Sequence, residues 1–268
     1  DTRLLRQQLD AVCTLPKEYT FLNYLRCHDD IGWGLDYQTL RGWGQEEVPH
    51  KRYLNDYFLG NIPGSPSRGA LYNADPVTGD ARFCASMCGI EAAGFEGNAE
   101  AMEVAVRKDL MLHAYMFTQS GLPIIYSGDE VGQVNDYAYR DDPEKADDSR
   151  YIHRGQFSWE LVANIEQTGT VQSQIFAGLD ELERIRREDP GFGSEAAWYP
   201  KDYSDPAVLW IVRECGGETL HAVFNFSGAS KTIWMPERAR YRNLISGEQA
   251  ELETFELPAW GFAWYERQ

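Results

Sequence analysis

Positive charge and long apolar runs are both scarce in this sequence. Lysine and arginine together number 25 against 42 aspartate and glutamate residues, which gives a formal net charge of −17 at pH 7. Nucleic acids and anionic membrane surfaces are bound by clustered Lys and Arg, so we expect neither as a partner. No apolar stretch approaches the ~18–20 residues that span a bilayer. The first residues, DTRLLRQQLD, do not resemble a signal peptide.

Cysteine is also sparse, and its five copies show no pairing pattern. They are Cys13, Cys27, Cys84, Cys88 and Cys215. Cys84 and Cys88 lack the second pair of ligands that a zinc site needs, and no acidic cluster has the loop spacing of a calcium site. We therefore expect no metal and no cofactor. A chain of this size has no need of disulfides, so we expect free thiols in a reducing compartment, the cytoplasm.

Aromatic residues, in contrast, are abundant. The sequence contains 8 Trp and 15 Tyr, and 43% of its residues are hydrophobic. Most of these rings are expected in the core, because large aromatic side chains dominate core packing. The remainder offers flat faces on which sugar rings can stack, so a neutral carbohydrate is compatible with this composition.

The first two thirds of the chain alternate helical and strand patterns. Apolar spacing predicts helices over 3–14, 99–119 and 171–187, and apolar runs of strand length lie at 20–27 and 122–128. The second run is continuously apolar, as expected of a parallel strand that is covered on both faces. This order of elements is typical of βα units in a parallel barrel or sheet.

An irregular insertion at about 34–97 interrupts that order. It is rich in Gly, Pro, Asn and aromatic residues, and only 52–58 is predicted to form a helix. The stretch GNIPGSPSRG at 60–69 is a loop by composition. Long insertions inside compact domains are usually functional. We expect this one to form an inserted subdomain.

From about residue 191 the pattern changes to short strands separated by Gly, Pro or Ser turns. The predicted strands are 208–215, 219–227, 231–235, 240–245 and 260–266. This spacing is typical of a small antiparallel β-sandwich. The sequence therefore predicts two domains, at 1–190 and 191–268.

Four groups of residues carry candidate chemistry. His28, Asp29 and Asp30 directly follow the strand at 20–27, and parallel α/β barrels place their chemistry at this end of their strands. The other groups are Asp80 with Arg82, the segment from Asp147 to Arg150, and the glycine-bracketed strand from Gly121 to Glu130. For the first three, the alternative interpretation is a solvated loop in which the carboxylates cap turns.

Taken together, these segments resemble glycoside hydrolase family 13, the α-amylase family. The resembling segments are FLNYLRCHD (21–29), HDDIGW (28–33), NADPVTGDAR (73–82), GLPIIYSGDE (121–130) and DDSRYIHR (147–154). The segment 21–29 is similar to the family's seventh barrel strand, and the segment 121–130 is similar to its eighth. The other three resemble the branch of amylosucrases and sucrose hydrolases. The resemblance covers essentially all 268 residues. It implies an α/β fold, in which the C-terminal part of a TIM (β/α)8 barrel with a long inserted subdomain precedes an antiparallel β-sandwich.

The resemblance also implies roles for five residues. Asp29 matches an acidic residue that binds sugar hydroxyls and favours an oxocarbenium-like transition state without attacking the sugar. His28 matches a histidine that donates to the same sugar. Asp30 and Arg82 match positions around the neighbouring subsite, where an acceptor or the leaving fructose lies. Arg150 matches an arginine that grips an aspartate of a barrel loop and closes the pocket floor.

The resemblance further implies that part of the active site lies elsewhere. Retaining glycosidases need a nucleophile and an acid/base carboxylate about 5–5.5 Å apart, and the family carries both after earlier barrel strands. A complete barrel takes ~250 residues, so we expect these groups, and the aspartate partner of Arg150, upstream of Asp1. The chain alone is then expected to be inactive. Its uncovered strand edges are expected to pair with a second copy or with the missing part.

The sequence thus predicts part of an enzyme that transfers glucose from sucrose or hydrolyses sucrose. Two other interpretations stay open. One is a hydrolase or isomerase of α-glucans within the same family. The other is a non-catalytic carbohydrate-binding protein that uses the sandwich and the aromatic insertion.

Overall fold

The computed structural model describes residues 1–29, 34–71 and 84–268, together with the backbone of residues 80 and 81. Its α-helices are α1 (Arg3–Cys13), α2 (Tyr37–Gly42), α3 (Glu47–Leu59), α4 (Cys84–Cys88), α5 (Ile90–Glu96), α6 (Ala99–Thr118), α7 (Trp159–Val162) and α8 (Val171–Glu188). Its strands are β1 (Leu22–Asn23), β2 (Ala70–Leu71), β3 (Asp80–Ala81), β4 (Leu122–Pro123), β5 (Ala197–Lys201), β6 (Val208–Cys215), β7 (Glu218–Asn225), β8 (Lys231–Asn243), β9 (Gln249–Leu257) and β10 (Phe262–Arg267). Short 3₁₀ helices span Asp129–Val131, Ala138–Asp141, Ser149–His153 and Pro190–Phe192.

The described residues divide into two compact units. Unit 1 consists of Asp1–Asn23, Leu110–Ile124 and Gly178–Gln268, and unit 2 consists of Tyr24–Asp109 and Ile125–Ala177. Over the described part of the chain, the helices fall short of the length and apolar character that a membrane span requires.

The three helices that periodicity predicts are confirmed as α1, α6 and α8. The inward positions of α6 include Val106, Met111, Ala114 and Phe117, all of which are buried. Burial of such an apolar stripe is the main source of helix stability inside a protein. For these long segments, the spacing of apolar residues within the segment itself is therefore sufficient to predict a helix.

A parallel strand pair in unit 1 confirms the predicted α/β character. β1 pairs with β4 in parallel, with Leu22 opposite Leu122 and Asn23 opposite Pro123. Both strands are shorter than predicted, and Leu22 and Leu122 are 60% and 58% exposed. The prediction that the second strand is covered on both faces therefore fails for the described residues, among which β1 and β4 pair only with each other. Parallel strands need covering layers on both faces to extend further.

The turn that leads into β4 depends on a glycine. Gly121 has a φ of +119°, and a Cβ atom at this position would lie 2.4 Å from the carbonyl oxygen of Phe21. The amide of Leu122 donates to that same oxygen at 2.8 Å. Only glycine combines the positive φ with such a close backbone approach.

Two arginines of unit 1 bind the carbonyl groups at the end of α6. Arg213 donates to the carbonyl oxygen of Thr118 at 2.9 Å. Arg186 donates to the carbonyl oxygens of Phe117, of Gln119 at 3.1 Å and of Gly121 at 2.7 Å. The last carbonyls of a helix lack partners within the helix and carry partial negative charge. These guanidinium groups supply both the donors and the complementary charge.

The C-terminal strands confirm the predicted antiparallel β-domain. They form a six-stranded hydrogen-bonded sheet in the order β5-β6-β7-β10-β8-β9. Side chains from five of its strands share one core around Trp210, including Val223 of β7, Ile233 of β8 and Leu257 of β9. The sheet therefore curls around its own core, with a bulge in β8 between Trp234 and Ala239.

Three details of this domain differ from the predicted strands. The segments 231–235 and 240–245 are joined in the single strand β8, because pairing with β9 resumes beyond the bulge. β5 and β9 were not predicted from the sequence. β5 contains a proline, and β9 reads QAELETFEL, whose four acidic or amide side chains obscure the alternation of a strand.

The insertion is more helical than its sequence indicates. The predicted helix at 52–58 is part of the longer α3, and α2, α4 and α5 were not predicted. Helices of 5–7 residues complete fewer than two turns, which is too short for periodicity to stand out. Unit 2 also buries Glu91 of α5, which accepts a hydrogen bond from the Tyr137 hydroxyl at 2.7 Å. Burial, followed by this bond, raises the pKa of Tyr137 to about 12.

Candidate functional site

Three of the five predicted site residues come together in unit 2. His28 and Asp29 lie in a turn beyond β1 along the chain, and Arg150 lies in the 3₁₀ helix Ser149–His153. The predicted sites Asp30 and Arg82 lie outside the described residues.

The carboxylate of Asp29 is the centre of this cluster. Its Oδ2 lies 3.0 Å from Nε2 of His28, and its Oδ1 accepts a hydrogen bond from Nη1 of Arg150 at 3.2 Å. Arg154 donates to the same Oδ1 through Nη2. The Asp29 side chain is nevertheless 49% exposed. It is therefore oriented from three sides and still open to a ligand.

The neighbouring charges determine the ionisation of Asp29. Desolvation raises its pKa, but the charges of His28, Arg154 and Arg150 lower it by more, so the pKa lies below the ordinary value of an aspartate. An ionised carboxylate accepts hydrogen bonds and has no proton to donate. Asp29 can thus bind hydroxyl groups or stabilise a developing positive charge, and it is unsuited to act as a general acid.

Arg150 divides its guanidinium between two carboxylates. Its Nε and Nη2 donate to Oδ1 and Oδ2 of Asp148 at 2.8 and 2.9 Å, and its Nη1 reaches Asp29. Asp148 also accepts from the backbone amide of Arg150 at 3.1 Å and so caps the 3₁₀ helix. The bond from the Arg150 side chain is the main reason that the pKa of Asp148 is lowered. The predicted upstream aspartate partner of Arg150 stays a prediction.

Two neighbouring residues that sequence reasoning missed hold the backbone of this turn. The carbonyl oxygen of His28 accepts from Nε2 of His153 at 2.7 Å and from Nε of Arg154 at 3.2 Å. A carbonyl oxygen only accepts, so Nε2 of His153 carries a proton. Arg154 lies four residues after Arg150, and this spacing, close to one helical turn, was the available signal that both could face the same group.

The cluster is connected through Tyr126 to a buried arginine, Arg26. The guanidinium of Arg26 stacks at 3.9 Å on the ring of Tyr126, and its Nη1 lies 3.6 Å from Oδ1 of Asp129. Arg26 and Asp129 are both buried. The hydroxyl of Tyr126 donates to the carbonyl oxygen of His153 at 3.0 Å. Buried charges of this kind persist only when paired. Arg26 thus has both a carboxylate and an aromatic ring beside it, and that ring's hydroxyl binds the backbone of His153.

The electrostatics of the cluster favour a neutral ligand. The carboxylates of Asp29 and Asp148 both face guanidinium groups, which neutralise them and would repel a metal ion. What remains is a set of oriented acceptors and N–H donors around an open carboxylate. Such a set matches the alternating donor and acceptor character of sugar hydroxyls.

Comparison with known proteins yields relatives in two sets. Among curated proteins, the chain is 31% identical over 175 residues to a cyclomaltodextrinase of Geobacillus thermopakistaniensis, a match that covers 60% of this chain and 25% of the relative. It is 25% identical over 241 residues to a glucosylglycerate phosphorylase of Escherichia coli, covering 83% of this chain and 38% of the relative. The chain thus spans well under half of each relative. No model of a known protein family matches the chain.

Among solved structures, a crystal structure of an AmyP variant in complex with maltotriose matches with a TM-score of 0.54 at 12% identity. The match covers 70% of this chain and 39% of AmyP, and it shows a shared fold. Trehalulose synthase MutB from Pseudomonas mesoacidophila matches with a TM-score of 0.47 at 21% identity, covering 60% of this chain and 38% of that one.

Proposed function

Since the chain belongs to glycoside hydrolase family 13, the α-amylase family, we propose that it forms part of a retaining enzyme that acts on sucrose. Its fold is the C-terminal part of a TIM (β/α)8 barrel followed by an antiparallel β-domain. The reaction is transfer of the glucosyl unit of sucrose to a sugar acceptor, as in amylosucrases, or to water, as in sucrose hydrolases. In the predicted division, residues 1–190 belong to the barrel and residues 191–268 form the β-domain.

The observation that carries this proposal is the state of Asp29. Its carboxylate is ionised, half exposed and oriented by His28, Arg150 and Arg154. A fixed negative charge of this kind lowers the energy of an oxocarbenium-like transition state, in which positive charge develops on the sugar ring. Asp29 is then the transition-state stabiliser, and His28 donates to a hydroxyl of the same sugar.

The remaining predicted residues complete the sugar site. Arg150 closes the floor of the pocket that holds the terminal glucosyl unit. Asp30 and Arg82 line the adjoining subsite, which the fructosyl unit or an acceptor occupies. The nucleophile and the acid/base come from polypeptide that corresponds to the part of the relatives that this chain does not match. Support comes from the coverage of those relatives, which is 25% and 38% of their length.

The test compares variants of the protein expressed at its natural length. The wild type is expected to release fructose from sucrose, together with either an α-glucan or free glucose. Asp29→Asn is expected to lower kcat/KM on sucrose by about 10²-fold or more, since it removes the stabilising charge. Asp141→Asn is the matched control, because Asp141 is an exposed aspartate outside the predicted site segments. Unchanged turnover in Asp29→Asn would contradict the proposed role.

A second candidate function is hydrolysis of α-glucans, favoured by the similarity to a cyclomaltodextrinase and to the maltotriose-bound AmyP. The products formed from sucrose and from maltooligosaccharides distinguish action on sucrose from hydrolysis of α-glucans. Release of maltose or glucose from maltooligosaccharides, with no fructose from sucrose, would replace the sucrose proposal by this one. A non-catalytic carbohydrate-binding role is supported if both substrates bind and neither is converted.

The open strand pair determines the partner that we propose for unit 1. Leu22 and Leu122 are exposed beside Phe21 and Ile124, which are 39% and 43% exposed. Apolar parallel strands with open edges recruit further strands, either from the rest of the barrel or from a second copy. The chain alone is therefore expected to self-associate. It is also expected to be inactive on sucrose, because the proposed nucleophile and acid/base come from other polypeptide. A monodisperse monomer by light scattering, or turnover by the chain alone, would contradict this.

We also propose a cytoplasmic location. All five cysteines are thiols in the structure, and Cys84 and Cys88 are buried. Burial raises the pKa of both thiols far above the ordinary value, which keeps them protonated and unreactive. Stable buried thiols suit a reducing compartment.

A further inference from the structure

A cleft in unit 2 adjoins the Asp29 cluster through a shared residue. The cleft has a volume of about 350 Å³ and is lined by residues between Asp136 and Gln156. Arg154 is part of its wall and also donates to the carboxylate of Asp29. Ligand sites of proteins begin at about 300 Å³, so the cleft can hold one or two sugar units.

One carboxylate oxygen in this cleft is available for a ligand. Oδ1 of Asp136 accepts from the amide of Ala138 at 2.9 Å. Oδ2 of Asp136 has no hydrogen-bond donor among the residues that the structure describes, and it lies against Gly155, where a Cβ atom would come within 3.1 Å of it. A glycine at 155 thus leaves space for this oxygen. A carboxylate oxygen of this kind accepts from a sugar hydroxyl by a charge-assisted hydrogen bond.

The other side chains of the cleft combine an aromatic face with paired charges. The ring of Tyr151 lies in the wall, with Nζ of Lys145 and the guanidinium of Arg154 5.8 and 6.0 Å from its centre. Lys145 is itself bound to Asp142 at 2.8 Å. The ring also packs against the buried residues Tyr139 and Ile152, so the part that lines the cleft is held in place and offers an apolar contact to a ligand.

The balance of charge selects the class of ligand. The lining contains two carboxylates, Asp136 and Asp142, and two cations, Lys145 and Arg154. Both cations are already engaged with carboxylates, so neither is left to bind an anion. The chain as a whole carries a net charge of −17, which also disfavours phosphate. A neutral ligand with many hydroxyl groups fits all of these features.

We propose that this cleft binds a glucosyl unit of an α-glucan, with Asp136 as the hydroxyl acceptor and the ring of Tyr151 as an apolar contact for the sugar. The inference rests on the proposed function, since Arg154 connects the cleft to Asp29. It extends that function by giving a growing or resident glucan chain a second point of attachment. In a transglucosylase, such attachment holds the acceptor near the site and raises its effective concentration.

The test measures affinity, because binding can be read without turnover. The protein at its natural length is titrated with thio-linked maltotetraose, which resists hydrolysis, by isothermal calorimetry. Asp136→Asn keeps the shape of the side chain and the acceptor for Ala138, and it is expected to weaken binding roughly tenfold or more. Gly155→Ala is expected to weaken it as well, because its methyl group displaces the Asp136 side chain. Asp141→Asn, a change at an exposed neighbour, is the control and is expected to bind as the wild type does.

Three outcomes would overturn the inference. They are equal affinity of Asp136→Asn and wild type, the absence of maltotetraose binding by the wild type, and displacement of maltotetraose by millimolar inorganic phosphate, which would mark an anion site. Sucrose turnover is measured in parallel on the wild type and on Asp141→Asn. If turnover fails while Asp136-dependent binding persists, the proposed function falls and the glucan cleft stands. If turnover persists while binding does not depend on Asp136, the proposed function stands and the glucan cleft is ruled out.

Discussion

Arg154 binds the carboxylate of Asp29 through one nitrogen of its guanidinium and the carbonyl oxygen of His28 through another. The two acceptors belong to adjacent residues, so one planar group sets both the backbone and the side chain of the turn. Arginine suits this task because its donors form a rigid fork. Arg154 is therefore a positioning residue for Asp29.

Replacement of Arg154 by glutamine is expected to affect catalysis more than folding. The variant loses a positive charge that lowers the pKa of Asp29, so this pKa is expected to rise towards its ordinary value. Asp29 then protonates at a higher pH, and the acid limb of the pH profile of kcat/KM moves to higher pH. We expect kcat to fall about tenfold or more through misplacement of the carboxylate.

The control for this prediction is Arg187→Gln, a substitution of an exposed arginine in α8. Arg154→Lys separates charge from geometry, since lysine restores the charge and not the fork. An unshifted acid limb in Arg154→Gln would show that this residue does not tune Asp29.

Arg213 is predicted to be essential for the stability of unit 1. This buried side chain donates to the carbonyl oxygens of Gly191 at 2.6 Å, Thr118 at 2.9 Å and Gly193 at 3.0 Å, and to Oγ of Ser120 at 3.2 Å. Burial, followed by the charge of a second arginine, lowers the pKa of Arg213 to about 10, so it stays charged at pH 7.

Arg213→Met keeps the length of the side chain but leaves these buried acceptors without a donor. Each unsatisfied group costs about 1–3 kcal/mol, so we expect the free energy of unfolding, measured by urea denaturation, to fall by about 3 kcal/mol or more. Arg187→Met is the matched control, and it is expected to change the free energy by less than about 0.5 kcal/mol. Similar small effects for both variants would refute the role of Arg213.

His221 is predicted to make the protein less stable in mild acid. It is buried in the β-domain, where its Nδ1 accepts from Nε1 of Trp210 at 3.3 Å. Burial, then the charges of Lys201 and Arg267, lower the pKa of His221 to about 4. The unfolded chain protonates it near pH 6.5. Between these values the unfolded state binds the extra proton, so stability falls as the pH drops from about 6.5 to 4 and is unaffected by this group above that range.

The total contribution of this group is about 3 kcal/mol, since its pKa is about 6.5 in the unfolded chain and about 4 in the folded protein, and each tenfold change in proton affinity is worth about 1.4 kcal/mol. His221→Asn retains an acceptor for the indole of Trp210 and does not titrate. The difference in unfolding free energy between wild type and variant is therefore expected to change with pH between 4 and 6.5. A difference that is constant over this range would contradict the prediction.

Gly121→Ala is predicted to disrupt the entry into β4. The new methyl group would lie 2.4 Å from the carbonyl oxygen of Phe21, at a φ of +119°. We expect a loss of about 2 kcal/mol or more in unfolding free energy, measured by urea denaturation. Gly42→Ala is the control, because Gly42 lies in α2 with ordinary φ and open space around it. That change is expected to be neutral or to stabilise by up to about 1 kcal/mol.

Local pattern was sufficient for the elements with long, regular periodicity. α6 and α8 were predicted almost to the residue, and β6 was predicted with its observed bounds. β9 and the short helices of the insertion were not predicted, because charged residues hide the alternation of β9 and a helix such as α4 is too short to show a period. Parallel pairing of β1 with β4 followed from the order of elements, whereas their shortness depends on which faces are covered.

The sequence by itself determined the residue types at the site, their place after a strand and the resemblance to a family, and its charge led to the prediction that anionic partners are not bound. These are properties of composition and of local order. The tertiary structure decided which groups meet: Asp29 is joined to Arg150 and Arg154, 121 and 125 positions away. It also placed His153 on the His28 carbonyl and left one oxygen of Asp136 open in a cleft. Periodicity reports which face of an element is buried, but the partner of a polar side chain depends on the paths of loops that are distant in sequence. The orientation, the ionisation and the neighbours of Asp29 are therefore defined only in the folded chain.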